Sequence, residues 1–129
     1  IVLREGKDVV IFANGLCVAE SLAAAEKLAA DGIEAKVVNI HTIKPLDKDI
    51  VIKAAKETGA IVTAEEHSVI GGLGSAVSEV LAEEYPVPVV KLGVNDEFGH
   101  SGPAVKLLDE FGLRAPNIVE KAKKAIFLK

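Results

Sequence analysis

Five short apolar runs punctuate the chain: Ile1–Arg4, Asp8–Ala13, Ala35–Ile40, Ala60–Ala64 and Val87–Val94. They are rich in Val and Ile, and the later ones hardly alternate with polar residues. Such runs read as strands covered on both faces, as in a parallel sheet. Between them the pattern is helical. Glu20–Asp31 is Ala-rich and stops at Gly32. Asp47 caps a helix through Lys56, with Pro45 before it and Gly59 after it. Gly72–Glu84 is a third helix, stopped by Pro86. Ser101 and Pro103 open a fourth through Phe111, closed by Gly112. The last covers Asn117–Phe127, just after Pro116, with Ile118, Val119, Ala122, Ala125 and Ile126 at helical spacing. Its Lys121, Lys123 and Lys124 sit towards the C-terminal end, where cations complement the helix dipole.

Strand–helix alternation implies right-handed crossovers and an α/β fold: a three-layer α/β/α sandwich on a five-stranded, mostly parallel sheet. The link Glu5-Gly6-Lys7-Asp8 is too short for a crossover, so the first strand cannot lie parallel beside the second. It is expected as a short antiparallel edge strand. No repeat or long linker interrupts residues 1–129, which read as a single domain.

Composition narrows the function. Half of the 129 residues are hydrophobic, enough for one core. The 15 basic and 19 acidic residues give a net charge of −4 and no basic face for nucleic acid. Cys17 is the only cysteine, which excludes an internal disulfide and argues against a cysteine-based metal site. A reducing compartment is consistent with that, and a cytoplasmic location is expected. No apolar run approaches the ~20 residues of a membrane span, and Ile1-Val2-Leu3-Arg4 has no signal-peptide pattern. A start without Met is expected of a fragment, a trimmed chain or a processed subunit.

In open α/β sheets, chemistry gathers at the carboxyl ends of strands. Four loops qualify: Asn14–Cys17, His41–Pro45, Glu65–Ser75 and Asn95–Gly102. Gly72-Leu73-Gly74 follows a strand and opens a helix, but Val77 stands at the third glycine position of a dinucleotide fingerprint. No acidic residue ends the next strand. Two readings of these glycines remain: close packing of the helix N-terminus, or an anion on its free N–H groups. Glu65-Glu66-His67 sets carboxylates beside an imidazole, as general acid–base work or a polar domain contact would require. His41, His67 and His100 all fall near strand ends, yet their spacing matches no metal motif. Cys17 sits at a possible helix start, where a thiolate would be stabilised; a buried apolar role is the competing reading. A G-x-S-x-G elbow is absent, and Phe12-Ala13-Asn14 ends its strand without the acid of a phosphate receiver.

Three blocks carry a family resemblance. Ile40–Asp47 resembles the Lys-Pro-(Leu/Ile)-Asp signature of transketolase C-terminal domains. Glu65–Ala76 resembles the next block. Gly93-Val94 followed by Phe98-Gly99-His100-Ser101-Gly102 is similar to the third, F-G-x-S-G. The resemblance spans essentially the whole chain and points to transketolases made as two polypeptides in bacteria and archaea. Deoxyxylulose-phosphate synthase and the β subunit of 2-oxo-acid dehydrogenase E1 share this domain and are the alternatives; Asp96-Glu97-Phe98 is similar to the former.

The resemblance implies a parent enzyme of the pentose phosphate pathway. That enzyme moves a two-carbon ketol unit between sugar phosphates with thiamine diphosphate and a divalent metal. Those cofactors belong to other domains, and this chain lacks the G-D-G…N-type motif that holds them. The resemblance therefore implies no catalytic, cofactor-binding or metal residue here. It implies packing on the remaining domains or subunit, and a homodimer of the whole enzyme. Partner contacts, or approach to the active site, are expected at Glu66, His67, Gly71, Gly72, Gly74, His100 and Ser101. The alternative of another class is an anion-binding regulatory module at the glycine-rich helix N-terminus.

Overall fold

The computed structural model describes residues 1–43, 45–68, 72–94, 108 and 112–129, with backbone alone at 67, 68 and 94. Strands β1 (Val2–Arg4), β2 (Val9–Ala13), β3 (Ala35–Asn39), β4 (Ile61–Ser68) and β5 (Val89–Val94) form one sheet in the order β1-β3-β2-β4-β5. Helices α1 (Cys17–Ala30), α2 (Lys48–Thr58), α3 (Leu73–Glu84) and α4 (Ala115–Leu128) cover it. The pairs β2/β3, β2/β4 and β4/β5 are parallel, and β1 lies antiparallel on β3 at the edge. The edge strand is thus where the short first link requires it. Backbone bonds between Ile1 and Asn39, at 3.0 and 2.8 Å, hold its start.

Strand alternation sorts the core into two layers. Val9, Ile11, Ala13, Val37, Val62 and Ala64 pack with α1 and α4. Val10, Phe12, Val38 and Ile61 pack with α2 and α3. All five residues of β2 are buried, as expected of a central strand with both faces covered. The chain crosses β2 between β3 and β4, so the loops leaving β2 and β4 face each other at the point where strand order reverses.

Local signals set most boundaries. The Asp47 carboxylate accepts from the Ile50 N–H at 3.2 Å and caps α2, and Gly59 ends that helix at φ +69°. Gly32, at φ +80°, follows α1 while the Ile33 N–H closes back on the Leu28 carbonyl at 2.9 Å.

Most boundaries shift by one or two residues from the sequence reading, β5 starting at Val89 rather than Val87 among them, and three changes bear on the site or its surroundings. α1 begins at Cys17 rather than Glu20, because the turn at Gly15 lets the Cys17 and Val18 N–H groups bond the carbonyls of Asn14 and Gly15. No capping side chain announces that start. α4 begins at Ala115, with Pro116 inside its first turn. β4 continues to Ser68, so Glu65–Ser68, expected in a loop, are strand. After an irregularity that follows Ala64 opposite Leu92, pairing with β5 resumes at Ser68 opposite Val94 and keeps this polar stretch in the strand. The helix expected over Ser101–Phe111 lies outside the described residues except for helical, buried Leu108. The Leu113 N–H bonds the Leu108 carbonyl at 2.7 Å across Gly112, which has φ +66°.

Candidate functional site

The carboxyl end of β4 carries two consecutive glutamates with opposite fates. The N-cap of α3 is Gly72, which has no side chain to satisfy the first N–H groups of the helix. Glu65 does so from the strand. Its Oε1 accepts from the Leu73 N–H at 2.9 Å and its Oε2 from the Gly74 N–H at 2.7 Å. Glu65 is fully buried. A buried carboxylate is tolerated when N–H donors and a positive helix end receive it, and such charge-assisted bonds are among the stronger ones. The two N–H groups that an external anion would use are therefore occupied by the chain's own carboxylate.

The glycines serve this contact. A Cβ on Gly74 would stand 2.9 Å from Thr63 Oγ1 and 3.1 Å from Lys91 Cγ, so glycine lets α3 approach β4 and β5 closely. Thr63 Oγ1 is itself buried with no hydrogen-bond partner among the described residues.

Glu66 turns to the other face. Its half-buried carboxylate lies directly over Gly15 in the β2–α1 turn, and a Cβ at Gly15 would collide with it. It forms no hydrogen bond or ion pair with the described residues. Gly15 sits at φ +58°, the left-handed region that favours glycine. Beside it, the Cys17 thiol is pushed up to about 12, first by burial and then by the negative charges of Glu66, Glu65 and Glu20. Those effects outweigh its place at a helix start, so Cys17 is a buried, protonated residue and not an activated thiolate.

Between the first turns of α2 and α3 lies a groove of about 440 Å³, lined by Ile43, Pro45, Leu46 and Lys48 on one side and Gly72, Ala76 and Val80 on the other. It brings Pro45 and Leu46 onto one surface with Gly72.

Of the expected contact residues, Gly72 and Gly74 stand at the start of α3, whereas Glu66 lies on the opposite face of the sheet against Gly15. His67 belongs to β4 by its backbone. Gly71, His100 and Ser101 lie outside the described residues. His41 is exposed just after β3. Among the described residues no group of three His, Cys, Asp or Glu side chains could hold a metal ion, and no helix is long and apolar enough to cross a membrane. Thiamine diphosphate and its metal find no fit among them. The best-placed carboxylate, Glu65, is consumed by α3, and Asp47 by α2. The sequence reading grouped Glu65 with Glu66 and His67 and missed its separate role. The signal was present: a helix opened by glycine, with no capping side chain, needs an acceptor from elsewhere.

Residues 1–118 match the profile of the family described as transketolase, C-terminal domain. The 6-deoxy-6-sulfo-D-fructose transketolase subunit SqwH of Clostridium sp. (strain MSTE9) is 55% identical over 120 residues, covering 93% of this chain and 37% of that protein. The 1-deoxy-D-xylulose-5-phosphate synthase of Heliobacterium modesticaldum is 45% identical over 123 residues, covering 95% of this chain and 19% of that protein. Among solved structures, a split-gene transketolase described as an inactive beta4 tetramer superposes with a TM-score of 0.93 at 56% identity. It covers 100% of this chain and 42% of its own. The chain therefore spans well under half the length of each of these proteins.

Proposed function

Because this chain belongs to the transketolase C-terminal-domain family, we propose that it is the C-terminal section of a split transketolase and acts by packing and assembly, not by chemistry of its own. The observation that carries this reading is Glu65. The most deeply placed carboxylate at the functional end of the sheet is spent on the chain's own helix, with bonds of 2.9 and 2.7 Å. In this reading the remaining domains or a companion subunit hold thiamine diphosphate and a divalent metal. The assembled enzyme is a cytoplasmic homodimer that moves a two-carbon ketol unit between sugar phosphates. The pentose phosphate pathway is the setting that reading implies. The name of the Clostridium relative favours a second substrate reading, a sulfosugar in place of one sugar phosphate. The likeness to a deoxyxylulose-phosphate synthase keeps that enzyme as the alternative parent.

The partner surface in this proposal is the end of β4, the start of α3 and the adjoining groove, with Gly71, His100 and Ser101 as further contacts. The experiment substitutes Gly72→Val, and separately Glu66→Ala with His67→Ala, and measures domain stability and partner affinity side by side. Weaker assembly with the fold retained is expected. A fall in stability alone, with unchanged affinity of the folded fraction, would overturn the surface assignment. Turnover, or saturable thiamine diphosphate binding, by the isolated 129-residue chain would overturn the silent-domain reading.

A further inference from the structure

We propose that the N-terminus of α3 is a carboxylate seat that the chain fills with its own Glu65, and that this internal ligand positions the start of α3 against β4 for assembly. The inference rests on the packing role above and assigns the placement of the helix start to one buried group.

The seat is built from both sides. Leu73 and Gly74 present their N–H groups to the two oxygens of one carboxylate, at 2.9 and 2.7 Å. α3 runs from Leu73 to Glu84, long enough to carry a full helix dipole. Glu65 and Leu73 are both fully buried, so the contact between strand and helix is shielded from water. Gly74 admits the approach, because any side chain there would meet Thr63 and Lys91. At the strand end the next residue, Glu66, lies against Gly15 on the opposite face. The consecutive pair thus ties the end of β4 to α3 on one side of the sheet and to the β2–α1 turn on the other. Only the first tie is made of hydrogen bonds, so Glu65 is the positioning residue.

The test is chemical rescue in the full-length protein that carries this domain. Glu65→Ala removes a fragment the size of acetate. The expected results are faster amide hydrogen exchange at Leu73 and Gly74 and assembly weakened by about tenfold or more, since two bonds to a charged acceptor are lost. Acetate should slow that exchange and restore assembly, while chloride at equal ionic strength should do neither. Glu65→Gln keeps the shape and one acceptor oxygen. It should give a smaller loss with no response to acetate, and it carries the test if Glu65→Ala does not fold. Wild-type exchange and assembly in Glu65→Gln, or equal recovery in chloride, would overturn the proposal. Amide protection restored by acetate without restored assembly would overturn the positioning role. If Glu66→Ala with His67→Ala still weakens assembly in that case, the packing reading stands and only the role of Glu65 falls.

Discussion

Glu65 and Glu66 are neighbours in one strand, identical in chemistry, and their surroundings differ almost completely. Glu65 is buried on the α2/α3 side and accepts two backbone N–H bonds. Glu66 is half-buried on the α1/α4 side, accepts no bond from the described residues and rests on a glycine. Alternation along the strand sends them to opposite faces, and what waits on each face does the rest. One face offers an uncapped helix start; the other offers a turn whose leading N–H groups already bond the carbonyls of Asn14 and Gly15. A carboxylate's contribution is thus read from the donors opposite it, not from its burial rank or its place in an acidic cluster.

The largest effect should separate the pair directly. Glu65→Ala leaves two buried N–H groups without an acceptor and is expected to cost roughly 3 kcal/mol. Glu66→Ala removes no hydrogen bond and should change stability by no more than about 0.5 kcal/mol. Urea unfolding of both variants checks the contrast, and equal losses would break it.

A smaller effect probes the glycine beneath Glu66. Gly15→Ala forces an alanine into the left-handed region, at a cost of about 1–2 kcal/mol, and drives its Cβ into the Glu66 carboxylate. Adding Glu66→Ala should relieve the collision and leave the backbone cost. A double-mutant cycle reads the difference as a coupling, the double variant losing less stability than the two single losses combined. Strict additivity would mean that Glu66 swings away freely.

The third effect is a pH slope. The Cys17 thiol is raised from 9.0 to about 12 in the folded chain, by burial first and then by Glu66, Glu65 and Glu20. A raised pKa favours the protonated form in the native state. Its stabilisation is complete below 9.0 and is lost as pH rises towards about 12. Relative to Cys17→Ala, the wild type should lose about 1 kcal/mol over the first pH unit above 9.0. Denaturation of both proteins across that window measures it, and parallel curves would count against the assignment. Glu66→Gln should lower the thiol pKa, because it removes the largest of the charge contributions.

Most of the architecture was legible because local chemistry settles it. Asp47 and Gly59 bracket α2, Gly32 ends α1, and Val- and Ile-rich runs mark strands buried on both faces. The short Glu5–Asp8 link alone rules out a parallel pairing of β1 with β2, and β1 indeed lies antiparallel at the edge. The Lys-Pro-Leu-Asp and glycine-rich segments pointed to the right family. Each of these signals is carried by residues within one or two turns of the feature they specify.

What the sequence by itself determined is therefore the order and kind of the described elements, the edge strand and the family. Only the tertiary structure decided how far β4 runs, where α1 begins and which glutamate holds a helix. β4 extends through Glu65-Glu66-His67-Ser68 because β5 lies beside it, and a polar tetrapeptide carries no sign of that neighbour. α1 begins at Cys17 because backbone carbonyls substitute for a capping side chain. Glu65 meets Leu73 and Gly74 because α3 packs its N-terminus against the end of β4 and presents two N–H groups to the carboxylate. Periodicity can say that Glu65 and Glu66 face opposite ways. It cannot say which of those ways holds an unsatisfied helix end.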